Sequence, residues 1–124
     1  MAKEAHKGKG LTEIAPLYGI GQYEAHIFLC TGPNCCAGEV GQSAWDALKA
    51  KLKALYPVQR EAKIYRTRVN CLRMCQDGPI AVCYPQGHWF RGVTADRVDA
   101  LVEHLRSGGG PHPLRFVSNP LPKA

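Results

Sequence analysis

The chain contains no long apolar run: none of its hydrophobic stretches approaches the roughly 20 residues that span a bilayer as a helix. Its basic start, Met1 to Gly10, is followed by no apolar h-region, so a secretory signal is not expected and the expected compartment is the cytoplasm. It has no Cys-x-x-Cys, which disfavours a thioredoxin-type dithiol. It has neither a Gly-rich nucleotide fingerprint nor a pair of catalytic carboxylates, so no enzymatic activity of its own is expected. Acidic residues are scarce, 10 against 16 Lys and Arg, for a net charge of +6. That excess would suit nucleic acid or an acidic protein. Much of it, however, lies in solvated places: Lys3, Lys7 and Lys9 near the start and Lys49, Lys51 and Lys53 on a predicted helix. No basic run is interleaved with aromatics, so neither nucleic acid nor a membrane is an expected partner.

What is present is an ordinary globular composition: 124 residues, 45% hydrophobic and 21% charged, enough for one domain with a real core. Residues 1–22 are rich in Lys and Gly and read as an arm that docks late, on a neighbour; Gly19 and Gly21 make a regular element at Ile20 improbable. Residues 23–110 hold the patterned elements. Glu24 to Leu29 predicts a strand ended by Cys30, and Thr31 to Gly41 a loop. Ser43, with Asp46 three residues on, predicts a helix start, and Trp45, Leu48, Leu52 and Leu55 form its apolar stripe up to Pro57. Lys63 to Val69 alternates as a strand with one wet face. Ile80 to Tyr84 and Trp89 to Arg91 predict a hairpin across Pro85 to His88. Thr94 predicts the cap of a last helix with Asp96 in its first turn and Val98, Leu101, Val102 and Leu105 inward. Residues 111–124 form a Pro-rich tail in which Leu114 to Val117 is a candidate terminal strand. The order implies a small α/β fold with helices on a mixed sheet, a parallel β-helix-β unit followed by an antiparallel hairpin.

Six cysteines are the remaining feature. In a reducing compartment, clustered cysteines more often bind metal or do redox chemistry than form structural disulfides. Cys30 and Cys35 are spaced C-x4-C, Cys71 and Cys75 C-x3-C. Each pair sits on a loop leaving a predicted strand, so two loops can bring four sulfurs to one site. Gly32, Gly38 and Gly78 would allow close backbone approach, with N–H groups turned to sulfur. Four thiolates suit zinc or an iron–sulfur cluster. Zinc knuckles favour C-x2-C, whereas the wider gaps suit ligands gripping the two ends of a two-iron core. A structural zinc module and a metal-free thiol redox protein remain the alternatives. Cys83 reads as a small core residue. His26 and His88 lack the Cys-x-His pairing of Rieske-type sites, and Trp89 reads as a core or interface aromatic. Met74, between the second pair, reads equally as a shield or a gap-filler, and Arg73 as a cation beside the site or a solvated side chain.

The phrase Cys71 to Pro85, with Gly87-His-Trp89 and Val93-Thr94 after it, resembles the thioredoxin-like [2Fe-2S] ferredoxin family, itself similar to the small cluster-carrying subunit of NADH dehydrogenases. The likeness runs over about residues 24 to 110. It implies a thioredoxin-like fold, a [2Fe-2S] cluster, one-electron transfer with redox partner proteins, and a homodimer. By position it implies Cys30, Cys35, Cys71 and Cys75 as ligands, with Pro79 at the loop proline that precedes a central strand. The loop after Cys35 departs from the family pattern, and the adjacent Cys36 is the competing ligand.

Overall fold

The structure, a computed structural model, describes residues 7–74, 76–108 and 110–120. In chain order it forms α1 (Leu11–Ile14), a 3₁₀ turn (Ala15–Tyr18), β1 (Ala25–Cys30), α2 (Gly38–Leu55), a second 3₁₀ turn (Gln59–Glu61), β2 (Ile64–Val69), β3 (Ala81–Tyr84), β4 (His88–Phe90), α3 (Ala95–Arg106) and β5 (Arg115–Ser118). The strands make one mixed sheet in the order β2-β1-β3-β4-β5. β1 and β2 are parallel, as the helical connection between them demands, and every other pairing is antiparallel.

The core follows from the alternation. Ala25, Ile27 and Leu29 of β1, Ala81 and Cys83 of β3, and Phe90 of β4 turn one face of the sheet toward Ala44, Leu48 and Leu52 of α2 and Val98, Leu101 and Val102 of α3, all buried. Each large side chain so buried contributes about 1.5–3 kcal/mol relative to exposure. The helices join laterally where Lys51 reaches Asp99 and Glu103 at 2.7 and 2.8 Å; at this exposure the ion pairs fix orientation more than they stabilise. The opposite face carries His26, Phe28, Tyr65 and Trp89, half-buried, and Tyr84, exposed.

Three expectations are corrected. α2 begins at Gly38, with Ala37 at its N-cap, five residues before Ser43. Glu39 supplies the acidic first turn, and Gly41 lets the early helix lie against the first cysteine loop: a Cβ there would meet the Thr31 Cβ at 3.0 Å and the Cys36 Sγ at 3.1 Å. Second, the end of the arm, from Tyr18 to Gln22, docks on its own chain. Gln22 donates to the Arg60 carbonyl, Tyr23 stacks on Tyr65 at 5.1 Å, and Gly19, at φ 81°, packs against the Gln59 and Ala62 carbonyls where a Cβ would be crowded. Third, Thr94 occupies the N-cap of α3 but makes no side-chain cap bond; its hydroxyl donates to the Asp96 carboxylate instead. The candidate terminal strand is real: β5 pairs with β4 through Trp89–Val117 and His88–Ser118.

Candidate functional site

Parallel pairing explains how cysteines far apart in sequence meet. Cys30 closes β1 opposite Val69, the last residue of β2, so the loops after both strands leave the same edge of the sheet. The Thr31 N–H donates to the Val69 carbonyl at 3.0 Å, and the Cys30 N–H to the Ile80 carbonyl at 2.8 Å. Two glycines then let the loops touch. A Cβ on Gly32 would stand 1.7 Å from the Asn70 carbonyl oxygen, and one on Gly78 would stand 2.2 Å from the Cys35 carbonyl oxygen and 2.5 Å from its Sγ. Both neighbours include backbone, so no side-chain rotation relieves either clash. Gly38, the third glycine expected to allow close approach, has nothing near it; it opens α2. The Gly78–Pro79 peptide bond is cis.

At the junction lies a cavity of about 80 Å³ lined by Cys30, Cys35 and Cys71 together with Pro33, Asn34, Asn70, Leu72, Arg73 and Met74. Cys30 and Cys35 are buried, packed with Ile80 against Cys36, Val69, Leu72 and Trp89; Cys71 is exposed. The remaining expected ligand, Cys75, lies outside the described residues. Arg73 and Asp77 both have left-handed backbone, φ 72° and 56°, a conformation that turns successive amides inward. The Arg73 N–H accordingly donates to the Cys71 Sγ at 3.3 Å, and from the end of the same loop the Ile80 N–H points across at the Cys35 sulfur of the first loop. Burial pushes the Cys35 thiol up to about 12, a rise that the Ile80 N–H only partly offsets and Cys30 reinforces. Cys36 is raised as well, by burial and then by Cys30. A nucleophilic cysteine sits in the opposite setting, with its pKa lowered. Thiols like these become thiolates when a bound group brings positive charge to displace their protons.

Among the described residues no three His, Cys, Asp or Glu side chains converge on one point as a single ion requires. A two-metal core asks for less convergence, because each metal is gripped by its own pair of thiolates. The sulfurs here sit on two loops around one cavity, with amides aimed at them, and that donor set fits such a core.

Of the other residues singled out in the sequence, only Arg73 and Met74 line the cavity. Cys36 lies against Gly41 of α2 while also packing on the Cys30–Cys35 cluster and hydrogen-bonding with the Cys35 thiol, and it does not line the cavity. Cys83 is fully buried in the main core, its thiol pushed up to about 12 by burial alone. His26 bonds to the Thr67 hydroxyl at 2.6 Å at the far end of β1 from Cys30. His88 faces Arg115 at 3.3 Å. Met74 is 44% exposed and forms part of the cavity rim. Asn70 and Ile80 carry the loop crossing and one sulfur-directed amide, roles with no signal in their residue types.

Comparison with known proteins bears on this geometry. A Clostridium pasteurianum 2Fe-2S ferredoxin is 30% identical over 88 residues, covering 67% of this chain and 86% of that one. The chain belongs to the thioredoxin-like [2Fe-2S] ferredoxins. A second 2Fe-2S ferredoxin of this family, from Aquifex aeolicus, is 28% identical over 102 residues, 78% of this chain and 92% of that one. A Priestia megaterium relative is 31% identical over 84 residues, and the chain spans 62% of its length. The solved structure of the thioredoxin-like [2Fe-2S] ferredoxin from Aquifex aeolicus superposes with a TM-score of 0.66 at 25% identity, covering 84% of this chain and 99% of that one. No family profile matches the chain. No helix among the described residues is long and apolar enough to cross a membrane.

Proposed function

We propose that this ferredoxin carries one [2Fe-2S] cluster held by Cys30, Cys35, Cys71 and Cys75, and passes single electrons between redox partner proteins without a substrate site of its own. The observation that carries the reading is the cavity where Cys30, Cys35 and Cys71 come together at the crossing of two loops, in a chain whose relatives are named 2Fe-2S ferredoxins. Bound there, the cluster supplies reversible one-electron chemistry, its net charge moving from about −2 to about −3 when four thiolates hold it. The chain's part is to receive that charge. The Arg73 and Ile80 amides are directed at sulfur, and hydrogen bonds to sulfur favour the more negative state. Leu72, Val69 and Trp89 keep water from the Cys30–Cys35 side, while the exposed Cys71 side leaves a route outward. Cys35 is preferred to Cys36 because Cys35 lines the cavity and Cys36 does not.

The protein works in the cytoplasm as a homodimer, with the domain at 23–110 flanked by the arm, 1–22, and the tail, 111–124. The face of the sheet opposite the helices supports a second copy, since Phe28, Tyr65, Tyr84, Trp89 and Val117 leave much apolar surface uncovered. Anaerobic purification followed by a visible spectrum and assays for iron, acid-labile sulfide and zinc tests the cofactor. About two irons and two sulfides per chain with a red-brown colour are expected; a colourless protein with zinc refutes the reading.

A further inference from the structure

Beside the cysteine cavity, and sharing Arg73 and Met74 with it, runs a groove of about 380 Å³ whose other walls include Asp77, Ile80, Arg91 and Phe116. Resting on the electron-carrier reading above, we infer that this groove is the docking surface for an acidic partner protein, which seats an apolar side chain on Met74 and Phe116 and offers carboxylates to Arg73 and Arg91.

Four observations carry this. Met74 and Phe116 are exposed, at 44% and 36%, so the groove has an apolar centre open to water. Arg73 and Arg91 are both exposed, and neither makes an ion pair among the described residues. The Arg91 guanidinium lies 5.9 Å from the Phe116 ring centre, close enough for the ring to orient it. Among the groove's own side chains two guanidiniums face one carboxylate, Asp77, and Arg91 is not among the residues lining the cysteine cavity. The frame is also stiff: the Gly92 N–H donates to the Asp77 carbonyl at 2.7 Å and the Arg91 N–H to the Leu114 carbonyl at 2.9 Å, tying the second cysteine loop to β4 and the entry of β5. A partner seated here is separated from the buried sulfurs by Ile80, which lines the groove and packs on Cys30 and Cys35. A second copy of this chain is a poor occupant, because a two-fold contact places the same patch on itself and would set arginines against arginines.

The test uses the cluster-loaded protein adsorbed on a gold electrode bearing a mixed carboxylate- and methyl-terminated alkanethiol monolayer, a surface with the chemistry proposed for the partner. The readouts are the interfacial electron-transfer rate, its salt dependence, the visible spectrum and the mass by light scattering. The parent should give a reversible wave whose rate falls as salt rises. Arg91→Gln and Phe116→Ser should each slow it by about tenfold, with spectrum and mass unchanged. Lys53→Gln, which removes the same charge from the last turn of α2, should have little effect. If Arg91→Gln leaves the rate unchanged, or Lys53→Gln slows it equally, the docking surface is wrong although the cluster stands. If Arg91→Gln or Phe116→Ser converts a dimer to a monomer, the groove is covered by a second copy and the inference falls. If the purified parent holds no iron and gives no wave, the electron-carrier reading itself has failed.

Discussion

Two regions of this molecule gather side chains that commonly bind metals, and they are built in opposite ways. The cysteine region stands where two loops leave one edge of the sheet: three sulfurs line a cavity, and backbone amides point at them. The histidine region stands around Phe90. His104 and His112 lie 4.7 Å apart, both rings meet Phe90 edge-on, His88 faces Arg115, and the His112 Nδ1 accepts the Leu114 N–H at 3.1 Å. His88 and His112 are occupied in holding β5 and its approach to the sheet, and the Arg115 guanidinium beside them repels any cation. Residue type alone does not mark a site; an open cavity with donors directed into it does.

The largest effect that could break this contrast is loss of a ligand. Cys35→Ser should abolish bound iron and visible absorbance, whereas Cys36→Ser should keep both, as measured by iron assay and spectrum. The opposite result would move the ligand to Cys36 and overturn the assignment. Next comes the crossing of the loops. Gly78→Ala places a methyl against the Cys35 backbone and should cost about 3 kcal/mol in urea unfolding, with loss of cluster retention; an unchanged midpoint would show that the loops are not in contact.

A smaller change is expected for the sixth cysteine. Cys83→Ala should lower stability by about 1 kcal/mol through the gap it leaves and leave iron content alone. The smallest concerns the histidines. Burial, then Arg115, holds His88 and His112 below the ordinary value; for His104 burial, then His112 and Arg115, do the same. The His104 Nε2 is buried with no hydrogen-bond partner among the described residues, so a proton there is poorly solvated. The folded state therefore binds fewer protons than the unfolded one, and this contribution to stability is complete above the unfolded value of 6.5 and lost as pH falls through the lowered folded values. His104→Gln should flatten the fall in urea midpoint between about pH 7 and pH 5 without changing bound iron. Lost iron in that variant would make the two regions one.

Much of this was legible in the sequence, and the reasons are local. Leu48 and Leu52, Val98 and Leu101, and the alternation through Ala25, Ile27 and Leu29 report burial through periodicity. The C-x4-C and C-x3-C spacings, each at the end of a strand, report two loops that share an edge once the strands are parallel. What stayed hidden is non-local or depends on backbone shape. Ser43 and Asp46 imitate a helix start, but Gly38 to Gly41 extends the helix because Gly41 fits against Thr31 and Cys36. The arm's docking depends on Arg60 and Tyr65, far along the chain. Cys35 and Cys36 are equivalent as letters, and only the folded loops put Cys35, not Cys36, in the lining of the cavity. The groove joins Arg73, Arg91 and Phe116, which no spacing rule connects.

The central claim is that four cysteines on two loops hold a centre that takes one electron. Anaerobic titration of the purified protein with dithionite, following the visible absorbance, counts those electrons directly. The account predicts bleaching complete at about one electron per chain, with about two irons present. Uptake of two electrons, as a disulfide requires, or of none, as zinc requires, would contradict it.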